Sequence, residues 1–371
     1  MSKAAELAAL IANVNKGSSL AAKNFIINGA QNVAQRGTSS TGIGASSGYF
    51  TTDRMQIVSE NTAGRLTMEQ VADGPDGFAN CTKLTCTTAD TSIASNEALI
   101  LNQNIEGRNL QSLKKGTSDA VPVTVSFYVK ANASATYTIE LKSGDASTNR
   151  MNSHEFSVTT GWTRITKTFV GDTSQALDDD NNTSIQFNLW LHGGSDYTGG
   201  THTDNVWHTT NNQRVGDSQT SFFDSTSRTF FITGIQMEIG EKATEFEVEP
   251  FETTLHKCQR YCEIHTLHSY THMGFAYTTA QFIIPYTWKV EKRAAPTFTF
   301  PTVGTSSGNL GVTIASGGYP SSHGSVLRAT TSVTQAYIYN NSGDGYAGFT
   351  DDHLAILYGY ANPVVKIESE L

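Results

Sequence analysis

Apolar and polar residues alternate along most of the chain with a period of two, which indicates half-buried β-strands. In residues 231–239, Ile235 and Met237 fall on one face of the strand that this pattern predicts, and Gln236 and Glu238 fall on the other. The same alternation recurs in residues 123–130, 137–142 and 185–192. Turn-forming Gly, Asn, Asp and Ser separate these segments, so the pattern predicts an antiparallel β-sandwich.

A helical pattern is clearest near the N-terminus. Leu7, Ile11 and Val14 fall on one stripe of a helix predicted within residues 1–23. A helix this short is marginal in isolation and needs a surface to pack on. That surface is either the chain's own sandwich or another protein. We expect the second, with residues 1–23 as an assembly anchor.

The length of 371 residues exceeds what one core usually supports, so two or more domains are expected. A boundary is placed at Pro250, after which Leu255 and Cys258 begin a short helical stripe. The predicted organisation is an anchor at 1–23, a β-sandwich at 24–250, a linker helix at 251–263 and a smaller C-terminal β-domain at 264–371. The predicted fold class is therefore all-β, with an N-terminal helix and a short linker helix.

Composition narrows the classes of partner. Asp and Glu number 34 against 25 Lys and Arg, a formal charge of −9, which argues against a nucleic-acid-binding surface because phosphate contacts need clustered cations. No apolar run approaches the ~20 residues of a membrane helix, so membrane insertion is not expected. Glu6 interrupts what would be the apolar region of a secretory signal, so synthesis in a cytoplasm is expected.

The four cysteines, at positions 81, 86, 258 and 262, are too few for a disulfide scaffold and lack zinc-site spacing. Buried free thiols are therefore expected. The acidic turn from Asp178 to Asn182 has oxygen-rich side chains that could hold a structural calcium ion, although it lacks the register of an EF-hand loop. A solvated Asp/Asn turn is the alternative, and no other cofactor is expected.

One stretch carries a family resemblance. The run Gly234-Ile235-Gln236-Met237-Glu238-Ile239-Gly240, followed by Ala243-Thr244-Glu245-Phe246-Glu247 and then Cys258-Gln259-Arg260-Tyr261, resembles the ending of jelly-roll modules in phage virion proteins. Residues 24–30 resemble the first strand of the same modules, and residues 37–48 are expected to form a long loop. The resemblance implies a jelly-roll sandwich similar to a carbohydrate-binding module, within a tail or fibre structural protein.

A candidate glycan-binding row follows from the strand at 185–192. Its apolar residues alternate with Gln186, Asn188, Trp190 and His192, which must all point away from the core. An aromatic plane among amide groups suits a sugar ring, and the following loop adds Asp196 and Tyr197 to the same candidate site. The alternative is that a loop at 193–227 or a neighbouring subunit covers the row, since Trp and Tyr are also common in interfaces.

Histidines and carboxylates are the candidate residues for metal binding and for catalysis. His192, His202 and His208 fall in one glycine-rich region, but their spacing matches no compact metal site, and hydrogen-bonded loop histidines are the alternative. The carboxylates of Asp178–Asp180 are adjacent instead of facing each other across a cleft, as glycoside hydrolysis requires. No nucleophile elbow, phosphate loop or zinc-protease motif is present. A non-enzymatic protein is therefore expected.

These features and the resemblance together predict a structural protein of a phage virion, most simply a tail fibre or tail-associated subunit made in the bacterial cytoplasm. We expect a homotrimer, because flat β-faces can be buried around a threefold axis. Further expected partners are other tail proteins, through the N-terminal helix, and host surface polysaccharide, through Trp190. The alternatives are a capsid or tail decoration protein without ligand, and a tail-associated glycan-degrading enzyme.

Overall fold

The structure is a computed structural model, and it describes residues 3, 24–145, 148–267, 272–303, 310–314, 327–341, 343–349, 354–359 and 362–371. The predicted anchor helix with Leu7, Ile11 and Val14 lies outside the described residues. Contacts divide the chain into two compact units, Met1–Pro250 and Phe251–Leu371. Each unit is built on its own sheets and its own core.

In its described residues, the first unit contains twelve strands and several short helical turns. The strands are Ser39–Ile43 (β1), Gly48–Tyr49 (β2), Gln56–Glu60 (β3), Arg65–Val71 (β4), Cys81–Thr88 (β5), Ala98–Glu106 (β6), Val123–Ala131 (β7), Ala135–Ser143 (β8), Arg150–Val158 (β9), Thr163–Phe169 (β10), Thr183–Gly193 (β11) and Thr229–Ile239 (β12). The helical turns are Gly107–Asn109, Gln111–Leu113, Ser195–Thr198 (α1) and Asn211–Gln213.

These strands form two six-stranded sheets. The first sheet has the order β1-β4-β5-β12-β7-β10 and the second has the order β2-β3-β6-β11-β8-β9. Neighbouring strands in both sheets are antiparallel, and the chain crosses between the sheets several times. Phe127 on β7 and Phe187 on β11 belong to one buried cluster shared by the inner faces of both sheets. The prediction of an all-β, antiparallel jelly-roll sandwich is confirmed.

Two local predictions at the start of this unit are wrong. Residues 24–30 form turns instead of a strand, because Asn28 takes a positive φ of 61° and its side chain bonds the backbone of Val33. Residues 37–48 are not only a loop, since β1 lies within them and pairs with β4. An exposed edge strand of Ser, Thr and Gly needs no apolar alternation, so the pattern could not indicate it.

The second unit begins with a helix and continues as strands. The helix is Phe251–Gln259 (α2), and the strands are Cys262–Thr266 (β13), His272–Thr278 (β14), Gln281–Thr287 (β15), Thr297–Thr299 (β16), Leu310–Ile314 (β17), Arg328–Thr331 (β18), Gln335–Tyr339 (β19), Leu354–Gly359 (β20) and Val364–Glu368 (β21). The helix is shorter than the predicted 251–263, because Cys262 already pairs with Glu368 as the first residue of β13.

Two sheets build this unit. One has three strands in the order β13-β21-β16, and the other has six in the order β17-β20-β14-β15-β19-β18. Phe282, Ile284 and Tyr286 on β15 are fully buried and pack with Val365 and Ile367 on β21. The smaller C-terminal β-domain is therefore a second, separate core, as the sequence predicts.

All four cysteines are free and buried, which confirms the expectation from their number and spacing. Burial raises the pKa of Cys81 and that of Cys86 to about 11, so both thiols are protonated and unreactive at neutral pH. None of the helices in the described part of the chain combines the length and the apolar character that a membrane-spanning segment requires.

Gly234 gives a test of the strand that closes the first unit. Its φ is +61°, and a Cβ there would lie 2.7 Å from the Phe78 ring and 2.9 Å from the Tyr128 ring. These two rings pack on each other with centroids 5.3 Å apart, so neither can easily move aside. We expect Gly234→Ala to lower the free energy of unfolding by about 2–4 kcal/mol, measured by urea denaturation. Gly77→Ala is the matched control, because its φ is +90° but its Cβ would meet nothing within 4 Å. An equal loss in both variants would contradict the steric argument.

Candidate functional site

The predicted glycan row lies on β11, on the side of the second sheet that faces away from the sandwich core. Leu189 and its alternating neighbours are buried in the core, as predicted. However, Trp190 and His192 have exposed fractions of 0%, Asn188 is buried and Gln186 is half-buried. A ring without accessible surface cannot stack on a sugar. The structure therefore corrects the expectation of an open platform. It agrees with the alternative, in which a loop covers the row.

The cover is supplied by residues 194–221, called the covering loop below. Tyr197 on α1 lies with its ring centroid 4.9 Å from that of Trp190. Arg214 places its guanidinium carbon 4.7 Å from the centre of the Trp190 ring, and Val215 belongs to the same small buried cluster. The Gln219 side chain donates a hydrogen bond of 2.9 Å to the Trp190 carbonyl. The loop thus encloses the indole from several directions.

Glu140 on β8 is the polar centre of this enclosure. It lies directly across the strand pair from Asn188 and is fully buried. Arg214 donates two hydrogen bonds, from Nε to Oε1 at 2.7 Å and from Nη2 to Oε2 at 2.9 Å. Asn188 Nδ2 and Trp190 Nε1 both donate to Oε2, at 2.8 and 3.0 Å. The carboxylate therefore joins the strand to the covering loop, and both of its oxygens are occupied.

The charge state of Glu140 follows from these bonds. Burial alone would raise the pKa of Glu140, but the Arg214 guanidinium and the donated hydrogen bonds outweigh it and hold the pKa below its usual range. The pair is thus ionised in the folded protein. A buried carboxylate that accepts four hydrogen bonds is a strong structural fastener, whereas a catalytic acid would need a raised pKa.

The remaining residues of the candidate site also have internal roles. Asp196 is exposed on α1, and its backbone N–H donates to the Ser95 carbonyl. The Tyr197 hydroxyl donates to the Glu60 carboxylate at 2.8 Å. Burial, together with this bond, raises the pKa of Tyr197 to about 12. Both residues therefore hold α1 against the sheet.

The three histidines have separate partners. His192 Nε2 lies 3.0 Å from a Glu97 oxygen and its Nδ1 lies 2.7 Å from the Ser221 hydroxyl. His202 Nε2 lies 3.0 Å from the Ser153 hydroxyl, and His208 Nδ1 accepts from the Thr210 backbone. His202 and His208 are hydrogen-bonded loop histidines, the alternative to a metal site, and His192 is a hydrogen-bonded histidine on β11.

The acidic turn is held by hydrogen bonds of its own. Asp180 accepts from the backbone and the side chain of Asn182, and the Asp178 backbone N–H donates to the Asp145 carboxylate at 2.9 Å. Nowhere in the described part of the chain do three or more His, Cys, Asp or Glu side chains group as metal ligands. A calcium ion at this turn stays a prediction.

A second buried ionic cluster, which the sequence analysis did not identify, lies in the second unit. Glu263 on β13 and Lys292 both have side chains with an exposed fraction of 0%, and they form an ion pair. The same carboxylate bonds His265 Nε2, and His265 Nδ1 bonds the Tyr286 hydroxyl. Burial opposes ionisation of Glu263, but the bonds from His265 and Lys292 lower its pKa to about 2.

One aromatic surface of the first unit remains half-exposed. Glu69, Lys83, Phe231 and Lys130 pair across neighbouring strands of the first sheet, and Trp162 lies at the end of the line. These five residues are called the outer row. The Lys130 ammonium lies 4.8 Å from the Phe231 ring centre and 5.1 Å from that of Trp162. Cations above aromatic planes give this surface both stacking and hydrogen-bonding groups.

Comparison with known proteins gives no family assignment. No protein-family model and no curated protein matches the chain. Among solved structures, one described as "CBM4 structure and function" is similar over 57% of this chain and 98% of that chain, at 15% identity and a TM-score of 0.30. The CBM22-1 xylan-binding domain of Paenibacillus barcinonensis Xyn10C is similar over 60% of this chain and 100% of its own, at 12% identity and a TM-score of 0.28.

The enzymatically active domain of bacteriophage CBA120 tailspike protein 4 is also similar, over 58% of this chain. The match covers only 21% of the tailspike chain, at 10% identity and a TM-score of 0.31. These likenesses are remote. The sandwich assignment stands on the strand order and register of the chain itself.

Proposed function

We propose that this chain is a non-enzymatic structural protein of a bacteriophage virion, a tail fibre or tail-associated subunit that assembles with copies of itself. Three copies are the expected number. The proposal rests on the sequence resemblance of residues 24–30 and 234–247 to jelly-roll modules of phage virion proteins, and on the contacts that those residues make, although residues 24–30 form turns instead of a first strand.

The observation that carries the proposal is that the two resembling stretches hold each other. They come from opposite ends of the first unit, yet Asn24 Nδ2 donates to the Ile235 carbonyl at 3.0 Å and Asn24 Oδ1 accepts from the Met237 backbone at 3.0 Å. The Ile235 backbone N–H donates in turn to the Gly29 carbonyl. These hydrogen bonds between the two stretches therefore close the module. The resemblance to phage virion modules implies the same closing role for both stretches.

The Gln and Glu of the same run have an equally specific role. Gln236 Nε2 donates to Glu238 at 2.7 Å, and Gln236 Oε1 accepts from the Glu247 backbone at 2.7 Å. Glu238 accepts both the backbone N–H and the hydroxyl of Thr244, at 2.9 and 2.8 Å. These bonds fold the polar segment after β12 back onto the strand. The polar residues of the run thus build a structural turn.

The polar residues around Trp190 support the same conclusion. Glu140 accepts hydrogen bonds from Asn188 and Arg214, and His192 bonds Glu97 and, in the covering loop, Ser221. Polar groups that would bind or cleave a substrate are instead hydrogen-bonded within the module and hold it together. This arrangement supports a scaffold role.

The experiment that tests the proposal is the location of the chain in purified phage particles. Antibodies raised against the chain should label intact particles at the tail, seen by electron microscopy, and should also detect the chain by blotting of washed particles. Labelling over the capsid would favour the decoration protein instead. Absence from washed particles would overturn the proposal. Incubation with host polysaccharide should leave the length of the polysaccharide unchanged, and shortened chains would show an enzyme.

Contact with host surface glycan is a second candidate function, favoured by the outer row. Trp162 is half-buried, directly before β10, and lies beside Phe231 and Lys130, which suits the apolar face of a sugar ring. We expect Trp162→Ala to weaken binding of host polysaccharide at least tenfold, measured by calorimetric titration. Trp162→Phe keeps an aromatic plane and should retain most of the affinity. Unchanged binding by Trp162→Ala would remove the outer row from consideration.

A further inference from the structure

The six-stranded sheet of the second unit has a continuous apolar surface on its outer side. Strand pairing places Phe275 on β14 opposite Ile283 on β15 and opposite Leu354 on β20. Met273 lies two residues from Phe275 on the same face, and Tyr337 on β19 extends that face across the next strand pair. These five residues are called the apolar face. They span the four central strands of the sheet.

The apolar face is open to solvent. Met273 is 62% exposed, Phe275 51%, Leu354 47% and Tyr337 42%. The residues between them point into the core and are fully buried, as Ala276 is. The sheet thus carries apolar residues on both sides, and among the described residues those on the outer side are largely exposed, except Ile356 on β20. Exposed apolar patches of this kind mark interaction sites in soluble proteins.

The chemistry of the face points to another protein surface. No Asp, Glu, Lys or Arg occupies an outward position of β14, β15, β19 or β20. Nucleic acid would require cations, and a glycan would require many hydrogen-bonding groups around its hydroxyls. Met, Ile and Leu supply neither. Dense aliphatic and aromatic side chains without charge are typical of the core of a protein interface.

We propose that the apolar face is the surface through which copies of this chain pack on one another, an inference that rests on the proposed self-assembling subunit. The chain has a formal charge of −9, which opposes association of two copies, so a contact between copies is favoured where the touching surfaces carry no charge of their own. The apolar face supplies such a surface. Another copy presents the same face, so the two surfaces match in polarity.

The area of the apolar face suits contact with a second copy of the chain. A buried Phe or Tyr covers about 150–250 Å², so the four side chains of the face that are about half exposed offer roughly 400 Å² per copy. A standard stable interface needs about 800 Å² per partner, of which the centre is apolar and the rim is polar. The apolar face therefore supplies most of the centre of such an interface. Gln281, Thr287 and Gln335, which lie on the same side of the sheet, would contribute to its rim.

The test compares two substitutions at equal exposure in the same unit. Leu354 and Val364 are both 47% exposed, but Leu354 lies on the apolar face, and Val364 lies on β21 of the other sheet. The mass of the full chain in solution is measured by light scattering over a range of concentrations. We expect wild type and Val364→Lys to have at least twice the mass of one chain, which is 40.0 kDa. Leu354→Lys should have the mass of one chain, because its copies should associate at least a hundredfold more weakly than those of the wild type.

Tyr337→Lys is a second variant of the apolar face, on a different strand. It controls for a folding defect that is confined to Leu354→Lys. It should reproduce the loss of association while circular dichroism stays that of the wild type. An oligomer that persists in both face variants overturns this assignment and leaves self-assembly itself intact. A wild type with the mass of one chain, or an oligomer lost on removal of residues 1–23 and kept by the face variants, overturns it as well. Particle labelling is a separate result and tests the virion role independently.

Discussion

Replacing Glu140 with Gln is expected to destabilise the first unit by about 3–5 kcal/mol. Gln keeps the size of the side chain but removes its charge, so the buried Arg214 guanidinium loses its partner. Breaking one half of a buried ion pair costs this much because the remaining charge stays desolvated. Trp190 reports the change directly, since its indole N–H donates to Glu140.

The measurement uses 5-fluorotryptophan and ¹⁹F NMR during urea denaturation, because Trp190 belongs to the first unit and Trp288 to the second. Glu69→Gln is the control. It removes the surface ion pair between Glu69 and Lys83, whose side chains are 30% and 28% exposed. The substitution should lower the free energy of unfolding by at most about 1 kcal/mol. The double variant Glu140→Gln with Arg214→Met should recover part of the loss. Equal stability of Glu140→Gln and wild type would contradict the fastening role.

The second large effect is expected from acid on the second unit. The folded pKa of Glu263 is about 2, below its ordinary value of 4.5. A lowered pKa in the folded state means that the ionised carboxylate stabilises the fold above pH 4.5 and loses that contribution as the pH falls towards 2. The difference corresponds to about 3 kcal/mol. The Trp288 resonance should therefore show a steep loss of stability between pH 5 and pH 2.

Glu263→Gln separates this carboxylate from all others that titrate in the same range. At pH 6 the variant should be less stable by about 3–5 kcal/mol, because Lys292 remains buried without a counter-charge. On acidification the gap to wild type should shrink by about 3 kcal/mol. Glu368→Gln removes a surface ion pair with Lys366 and should follow the wild-type curve. Parallel curves for wild type and Glu263→Gln would refute the lowered pKa.

Alternation in the sequence was sufficient to predict the core strands. Residues such as Phe187 and Leu189 on β11, or Val125 and Phe127 on β7, face one core because a strand turns successive side chains to opposite sides. Where side chains are small and polar, as in β1, alternation disappears, although backbone pairing continues. The turns at residues 24–30 were missed for the opposite reason. Their apolar residues resemble a strand, but Asn28 and its side-chain bonds turn the chain.

The candidate site shows what a single strand pattern cannot reveal. Alternation correctly put Asn188, Trp190 and His192 on the face away from the core, but it could not tell whether that face meets water. The answer depends on residues far away in the sequence, above all Arg214 in the covering loop and Glu140 on β8. Neither residue stands out locally, because a lone Glu on a strand and a lone Arg in a loop are usually solvated.

Glu263 and Lys292 were missed in the same way. They are separated by a hairpin and meet only after the core has formed. A charged residue directly after a helix is ordinarily exposed, so its burial cannot be inferred from spacing. The apolar face was partly visible, since β15 and β19 each carry large apolar residues on both faces. Which of the two faces packs inward is decided by the pairing of the whole sheet.

The central claim is that the chain is a structural subunit that assembles with copies of itself in a phage particle. A cryo-electron microscopy map of the intact particle, with this chain located in it, tests the claim most directly. The account predicts several copies in the tail, in contact through Phe275, Leu354 and Tyr337, with Trp190 enclosed in every copy. A particle without the chain, or single copies whose apolar faces meet only solvent, would contradict it.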